Sequence, residues 1–369
     1  MENSNFFIGL ISGTSIDGID AVLVQFKNDQ PKLIATHCGE IGAELRDRIL
    51  NLCNSTNLDF KTLGETDMII GHAFAQAVKD LLKTSGLDAQ AITAIGSHGQ
   101  TIFHQPTGEH PFTIQIGDPN TIAEITDITT VADFRRRDMV VGGEGAPLAP
   151  VMHKNCFFSA EENRVILNIG GISNITVLNR DGSSFAFDTG PGNVLMDYWI
   201  DKNKEKAYDA NGDWAKTGSV NQTLLSQLMT EEYLAVSHPK STGRELFNGR
   251  WLEFQLKSCD EEVSAEDVQA TLLKFTATTI TNSINSCSQP NRLFVCGGGA
   301  HNSELMSKLN ELLSDCDVAS TAVLGFDPDW VEAVAFAWMA KQTMAGKSID
   351  TTAFTGSRKA TILGGIYQA

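Results

Sequence analysis

Positive charge is in short supply in this chain. Twenty-eight Lys and Arg stand against 45 Asp and Glu, a net charge of −17. Nucleic acid and anionic membrane surfaces attract clustered cations, so neither is expected as a partner. A small anionic ligand in a locally positive pocket stays open. Cysteine is sparse and odd in number, seven residues at 38, 53, 156, 259, 287, 296 and 316 with no C-x-x-C pair. That pattern argues against a disulfide framework, and reduced thiols are expected. His98 and His104 have no third ligand at metal spacing, which sets a zinc site aside. No uninterrupted apolar run approaches the roughly 20 residues of a membrane-spanning helix. The opening MENSNFFIGLISG has neither the basic stretch nor the sustained apolar stretch of a secretory signal. The expectation is a cytoplasmic protein without a membrane partner.

Two familiar fingerprints are missing as well. The nearest approach to a Walker-type phosphate loop is AGKS at 345–348, and Lys341 stands where its first glycine is required. GGGAHN is a poor dinucleotide fingerprint, because no matching glycine-rich turn follows the first strand.

What is present reads as a two-domain α/β protein. The chain has 369 residues, 42% of them hydrophobic, and 32 glycines that cluster at the ends of apolar runs. FFIGLI, AVLVQF and KLIATHCGEI read as strands. GETDMIIGHAFAQAVKDLLKTSG places Ile69, Ala73, Ala77, Leu81 and Leu82 at helical spacing and stops at a glycine. AITAIGSHGQT reads as a strand running into a loop. Further on, VSAEDVQATLLKFTATTITNSINSC and DPDWVEAVAFAWMAKQTMAG read as helices. Asp329 and Glu332 have the spacing of a capping box at the start of the second. RLFVCGGGAHN reads as a buried strand ending in three glycines.

The opening unit recurs half a chain later. IGLISGTSIDGIDAVLV and ILNIGGISNITVL are both strand, small-residue turn, strand, which marks a duplicated fold. The division is placed in the charged, Gly- and Pro-containing stretch RRRDMVVGGEGAPLAP, giving domains of 1–135 and 136–369, with about 360–369 free to return to the first. A bare turn with backbone N–H groups and small hydroxyls makes a concave donor surface for anions, which any β-carbon would obstruct. Two such turns, with a third glycine run at Gly297, Gly298 and Gly299, suit a polyphosphate held between two domains.

SGTSIDGID, GSHGQT, QIGDP, VADFRRRD, GGEGAPLAP, NIGGISNIT, FDTGPGN and CGGGAHN follow one another in this order across nearly the whole chain. Duplicated hairpins with a late glycine run resemble the sugar kinase, Hsp70 and actin superfamily, and these eight blocks resemble the anhydro-N-acetylmuramic acid kinase family within it. The resemblance implies two related domains of ribonuclease H-like type with an ATP cleft between them. It also implies hydrolytic opening of the 1,6-anhydro ring of anhydro-N-acetylmuramic acid with phosphorylation of its O6 by ATP. A homodimer is a further implication.

The resemblance assigns the catalytic carboxylate to Asp188 in FDTGPGN, as base on the attacking water. For Glu332 two readings stand, a carboxylate beside the sugar or a helix cap. ATP phosphates fall to Gly13, Thr14, Ser15, Ile16, Asp17, Gly18, Ile19 and Asp20 in the first half and to Gly170 and Gly171 in the second, with adenosine along Gly297–Gly299. The sugar falls to Gln100, Asp118, Asp133 and Arg136, the arginine being suited to a lactyl carboxylate. Mg²⁺ is expected on charge grounds. The superfamily's Asp before each glycine turn is missing here, so Asp17, Asp20 and Asp188 stand unranked as ligands.

Overall fold

In the computed structural model of the chain, residues 5–369 are described except 14, 15, 17, 28, 56 and 260. The chain divides into two compact units, Met1–Cys156 with Trp330–Ala369, and Phe157–Asp329. The first holds strands β1 (Phe6–Ser12), β2 (Gly18–Lys27), β3 (Gln30–Glu40), β4 (Ile92–Gln105), β5 (Phe112–Ile116) and β6 (Thr130–Ala132). The second holds β7 (Arg164–Ile169), β8 (Ile172–Leu178), β9 (Ser184–Pro191), β10 (Arg292–Cys296) and β11 (Asp317–Ser320), and β12 (Gly365–Tyr367) returns to the first.

The two sheets repeat one topology. The first runs β12-β6-β4-β1-β2-β3 with β5 on β4, and the second runs β11-β10-β7-β8-β9. In each, the first three strands form an antiparallel meander, and the next strand of the core lies parallel to the first. This is the mixed α/β, ribonuclease H-like arrangement that the repeated hairpin predicts.

In the first unit, helix Phe60–Ser85 lays Ile70, Phe74, Val78 and Leu81 on one stripe against the sheet. Each such buried side chain contributes about 1.5–3 kcal/mol of transfer free energy. Asp59 caps the helix start and Gly86, at φ +71°, ends it. Helix Val331–Met344 packs across β1 and β4, and glycine makes this possible. A β-carbon on Gly9 would fall 1.9 Å from the Ala333 carbonyl oxygen, and one on Gly96 would fall 2.1 Å from that of Phe336. The helix is apolar almost all round, as a helix buried in a core must be. In the second unit, helix Ala265–Cys287, capped by Ser264, packs Leu272, Phe275 and Ile280 against Leu167, Ile175 and Val295.

Four details differ from the sequence reading. The units part at 156/157 and 329/330, not at 135/136, and about forty C-terminal residues return to the first unit in place of about ten. The close seat of helix 331–344 on β1 and β4 is the reason. β4 does not stop in GSHGQT. Gly99, at φ +76°, lets the strand kink and run on to Gln105, paired with β5. β9 likewise continues through Asp188 to Pro191. The capping box is not formed: helix 331–344 starts after Trp330 with no side-chain cap, and the Asp329 carboxylate meets His301 Nε2 at 2.8 Å. Glu332 is the second helical residue and bonds no main-chain N–H.

Among the described residues, no helix is long and apolar enough to cross a membrane. None of the seven cysteines is in a disulfide.

Candidate active site

In the second unit, the hairpin turn between β7 and β8 carries Gly170 and Gly171. The Gly170 carbonyl accepts the Asn193 N–H at 2.8 Å, and the Gly171 carbonyl accepts those of Gly192 and Val194 at 2.9 and 3.1 Å. The turn is therefore fixed. Its outer side is open: a β-carbon would come no nearer than 3.7 Å to anything at Gly170 or 3.6 Å at Gly171, and neither residue has positive φ. Crowding and backbone strain within the unit do not account for these glycines. The late glycine run differs. Gly297, at φ +77°, would strike Asn168 Oδ1 at 2.4 Å, and Gly299 would strike Ile169 Cγ2 at 2.3 Å. These two are required by packing against the end of β7, while a β-carbon on Gly298 would meet nothing nearer than Asn193 Nδ2 at 4.0 Å. Pairing of β7 with β10 thus brings the ends of the two glycine groups together.

Asp188 lies on β9 opposite Asn174, three pairs along from the turn, where a register shift after Ser173 displaces the ladder. Its main chain is tied to a later segment: its N–H donates to the Lys240 carbonyl at 3.2 Å, and Tyr233 Oη donates to its carbonyl at 2.7 Å. The carboxylate Oδ2 accepts Ser241 Oγ at 2.9 Å and the Thr242 N–H at 3.0 Å. Neither bond uses Oδ1. Burial pushes the Asp188 carboxyl up to about 6, against those two donors and with help from the like charge of Glu245. A carboxylate anchored through one oxygen, with an elevated pKa, is suited to take a proton near neutral pH.

In the first unit, the opening turn is closed by the Ile16 N–H donating to the Gly13 carbonyl at 3.3 Å, with Ile16 at φ +54°. Ile16 and Ile19 are buried in the core, so only their main chain is left to meet a ligand. Gly18 faces Cys38 Sγ, and Asp20 sits half-buried on β2 opposite Ile11. Thr14, Ser15 and Asp17 lie outside the described residues. Register sets Ser97 beside Leu10 and Gln100 beside Ser12 at the ends of β4 and β1. Ser12 Oγ, Ser97 Oγ and Gln100 Oε1 are buried there with no hydrogen-bond partner among the described residues. Orphaned buried polar atoms in one place point to a ligand that satisfies them.

The remaining sugar candidates separate. Asp118 caps helix Pro119–Thr126, accepting from the Asn120 and Thr121 main chain and from both side chains. Burial raises its carboxyl, but those bonds outweigh it and hold the group below its ordinary value. Asp133 and Arg136 pair at 3.4 Å on the wall of a groove of about 720 Å³ that also includes Phe112, Thr113 and Gln115. Arg135 takes the inward position. Its Nε donates to His98 Nε2 at 2.8 Å and its Nη1 to the Gly145 carbonyl at 2.8 Å. His98 is buried, and burial holds its pKa well below the ordinary value, with the Arg135 charge adding to this. It is the neutral ring that accepts from Arg135. Glu332 faces this pair without a hydrogen bond of its own. Water reaches its side chain, yet the protein around it still raises the carboxyl, with Arg135 pulling the other way.

A family profile described as anhydro-N-acetylmuramic acid kinase matches residues 5–369. The chain belongs to that family. Among its curated relatives, a protein from Shewanella pealeana carrying the same name is 48% identical over 368 residues, covering 100% of both chains. Another from Coxiella burnetii is 50% identical over 364 residues, covering 98% of this chain and 97% of its own. Among solved structures, component A of the (R)-2-hydroxyglutaryl-CoA dehydratase of Acidaminococcus fermentans superposes with a TM-score of 0.51 at 10% identity. It covers 93% of this chain and 100% of its own, a likeness of fold alone.

Sequence reasoning missed the segment that holds Asp188. Tyr233, Lys240, Ser241 and Thr242 stand 45 to 54 residues downstream, the last three in the aperiodic stretch HPKSTGREL. Its only signal was a set of hydroxyl and charged residues flanking Pro239 and Gly243. The inward placement of Arg135 was not read from the sequence either. In helix Phe134–Met139 the residues Phe134, Asp138 and Met139 are buried, and helical phase places Arg135 with them and turns Arg136 and Arg137 outward.

Proposed function

We propose that this protein is an ATP-dependent kinase that opens 1,6-anhydro-N-acetylmuramic acid by hydrolysis and phosphorylates its O6. The single observation that carries the mechanism is Asp188, anchored through Oδ2 beside the open Gly170–Gly171 turn. Its carboxylate takes a proton from water as that oxygen bonds to the anomeric carbon. The C1–O6 bond breaks, and O6 attacks the γ-phosphorus of ATP, releasing ADP. The products are N-acetylmuramic acid 6-phosphate and ADP, and the proton on Asp188 passes to solvent. Gly170 and Gly171, and the opening turn from Gly13 to Asp20, are the proposed phosphate contacts. Gln100, with its unsatisfied Oε1, is the best supported sugar contact, and the Asp133–Arg136 pair is offered for the lactyl carboxylate.

Mg²⁺ is proposed with the nucleotide, where it neutralises phosphate charge. Among the described residues no group of three or more His, Cys, Asp or Glu is arranged to hold a metal ion. That fits an ion bound mainly by phosphate oxygens and water, with one or two carboxylates contributed by protein. Asp20 and Asp188 are the described residues proposed to contribute. Product analysis by mass spectrometry in ¹⁸O water tests the whole reading. Heavy oxygen is expected on the anomeric carbon and none in the phosphate. Label in phosphate, or ADP formed without sugar phosphate, would overturn it.

A further inference from the structure

The Gly170–Gly171 turn is proposed to hold phosphate in a protein of net charge −17, and backbone dipoles alone are a weak counterweight to a triphosphate. One cation borders that turn. The Nη2 and Nε atoms of Arg244 lie 3.6 and 3.8 Å from the place a β-carbon on Gly171 would occupy. Among the described residues, this guanidinium makes no hydrogen bond and no ion pair within 4.0 Å. Asp197, in the first turn of helix Val194–Lys204, feels its charge. Burial raises the Asp197 carboxyl to about 7, Arg244 acting in the opposite sense. Asp197 is thus a poor competitor for the guanidinium at neutral pH.

The base of the side chain is fixed. The Arg244 carbonyl accepts Asn248 Nδ2 at 2.9 Å, and Phe247, three residues on, is fully buried. Two residues back, the Thr242 N–H holds Asp188 Oδ2. One short segment therefore anchors the proposed base and presents a free planar cation over the bare turn. A guanidinium offers paired donors that match two oxygens of a phosphate.

We propose that Arg244 is a phosphate-binding residue for the nucleotide at the Gly170–Gly171 turn. This rests on the kinase reading above. The shared chemistry is an oxyanion, and the other source in that reaction is the lactyl carboxylate of the sugar. The position beside Gly171 favours phosphate.

The test compares wild type, Arg244→Ala and Arg244→Lys in steady-state kinetics with each substrate varied in turn, alongside ATP binding by calorimetry. Wild-type turnover of anhydro-N-acetylmuramic acid is measured first, and its absence would fail the kinase reading independently of Arg244. The expected result is a rise of about 10- to 100-fold in KM and Kd for ATP in Arg244→Ala, with KM for the sugar unchanged. Arg244→Lys should recover part of the loss, and the unchanged sugar KM shows that the variant is folded. A raised sugar KM with ATP binding unchanged would move Arg244 to the carboxylate and overturn the proposal. Unchanged constants for both would overturn it equally.

Discussion

Asp188 in the second unit is held by two hydrogen bonds, whereas Glu332 in the first has none and faces a cation. Both carboxyls are raised by the protein around them. What opposes that rise differs: for Asp188 it is the Ser241 hydroxyl and the Thr242 N–H, and for Glu332 it is the charge of Arg135. Hydrogen bonds fix where a carboxylate points, and a charge at longer range fixes only its ionisation. The Asp188 carboxylate thus presents one oxygen in a set direction, as the proposed base must, whereas Glu332 answers to the charge of Arg135. The comparison teaches that a raised carboxyl alone does not identify a base.

The sharpest way to break the comparison is to neutralise each carboxyl while keeping its shape. Asp188→Asn retains an oxygen able to accept from Ser241 and Thr242, so folding and ATP binding should survive. Loss of general-base action should lower kcat by about 10²- to 10⁴-fold. Steady-state kinetics with calorimetric ATP binding checks this. Near-normal turnover would remove Asp188 from the role.

Glu332→Gln should cost less, on the order of tenfold in kcat, because no proton is transferred at that site. Stability gives a second readout. A carboxyl whose pKa is raised by folding contributes stability that is complete below its unfolded pKa and lost as pH rises through the folded one. Glutamine has no such loss. The Tm of Glu332→Gln relative to wild type should therefore rise between pH 4 and pH 8. A helix-capping role predicts little change at any pH, because glutamine caps as glutamate does, and helix 331–344 shows no side-chain cap.

Much of this was legible in the sequence, and the parts that were not share a physical cause. The repeated strand–turn–strand hairpins disclosed the duplicated sheet, because the apolar runs are set by burial and the bare turns by access. The continuation of β4 beyond Gly99 was hidden because a positive-φ glycine within a strand looks like the glycine that ends one. Which of the three arginines turns inward was hidden because three consecutive arginines carry no hydrophobic period, and the helix around them is only six residues long. Ser241, Thr242 and Arg244 were invisible for a third reason. Their contacts to Asp188 and Gly171 span 53 to 73 residues of sequence, and the segment that carries them has no periodicity to read.

The finest test of the comparison lies in pH dependence. With Asp188 at about 6, kcat/KM should climb from pH 5 and level off above pH 7. Ser241→Ala removes a donor that favours the ionised carboxylate, so the rise should move to higher pH. Glu245→Gln removes a like charge that disfavours it, so the rise should move to lower pH. Both variants leave the carboxyl in place, so opposite displacements can only come from its surroundings. Profiles of kcat/KM from pH 5 to 8 read the two directions. If both variants move the same way, or neither moves, then the group that titrates in turnover is not Asp188. Glu332, whose carboxyl is also raised but which makes no bond to Ser241, would be the next to examine by the same measurement.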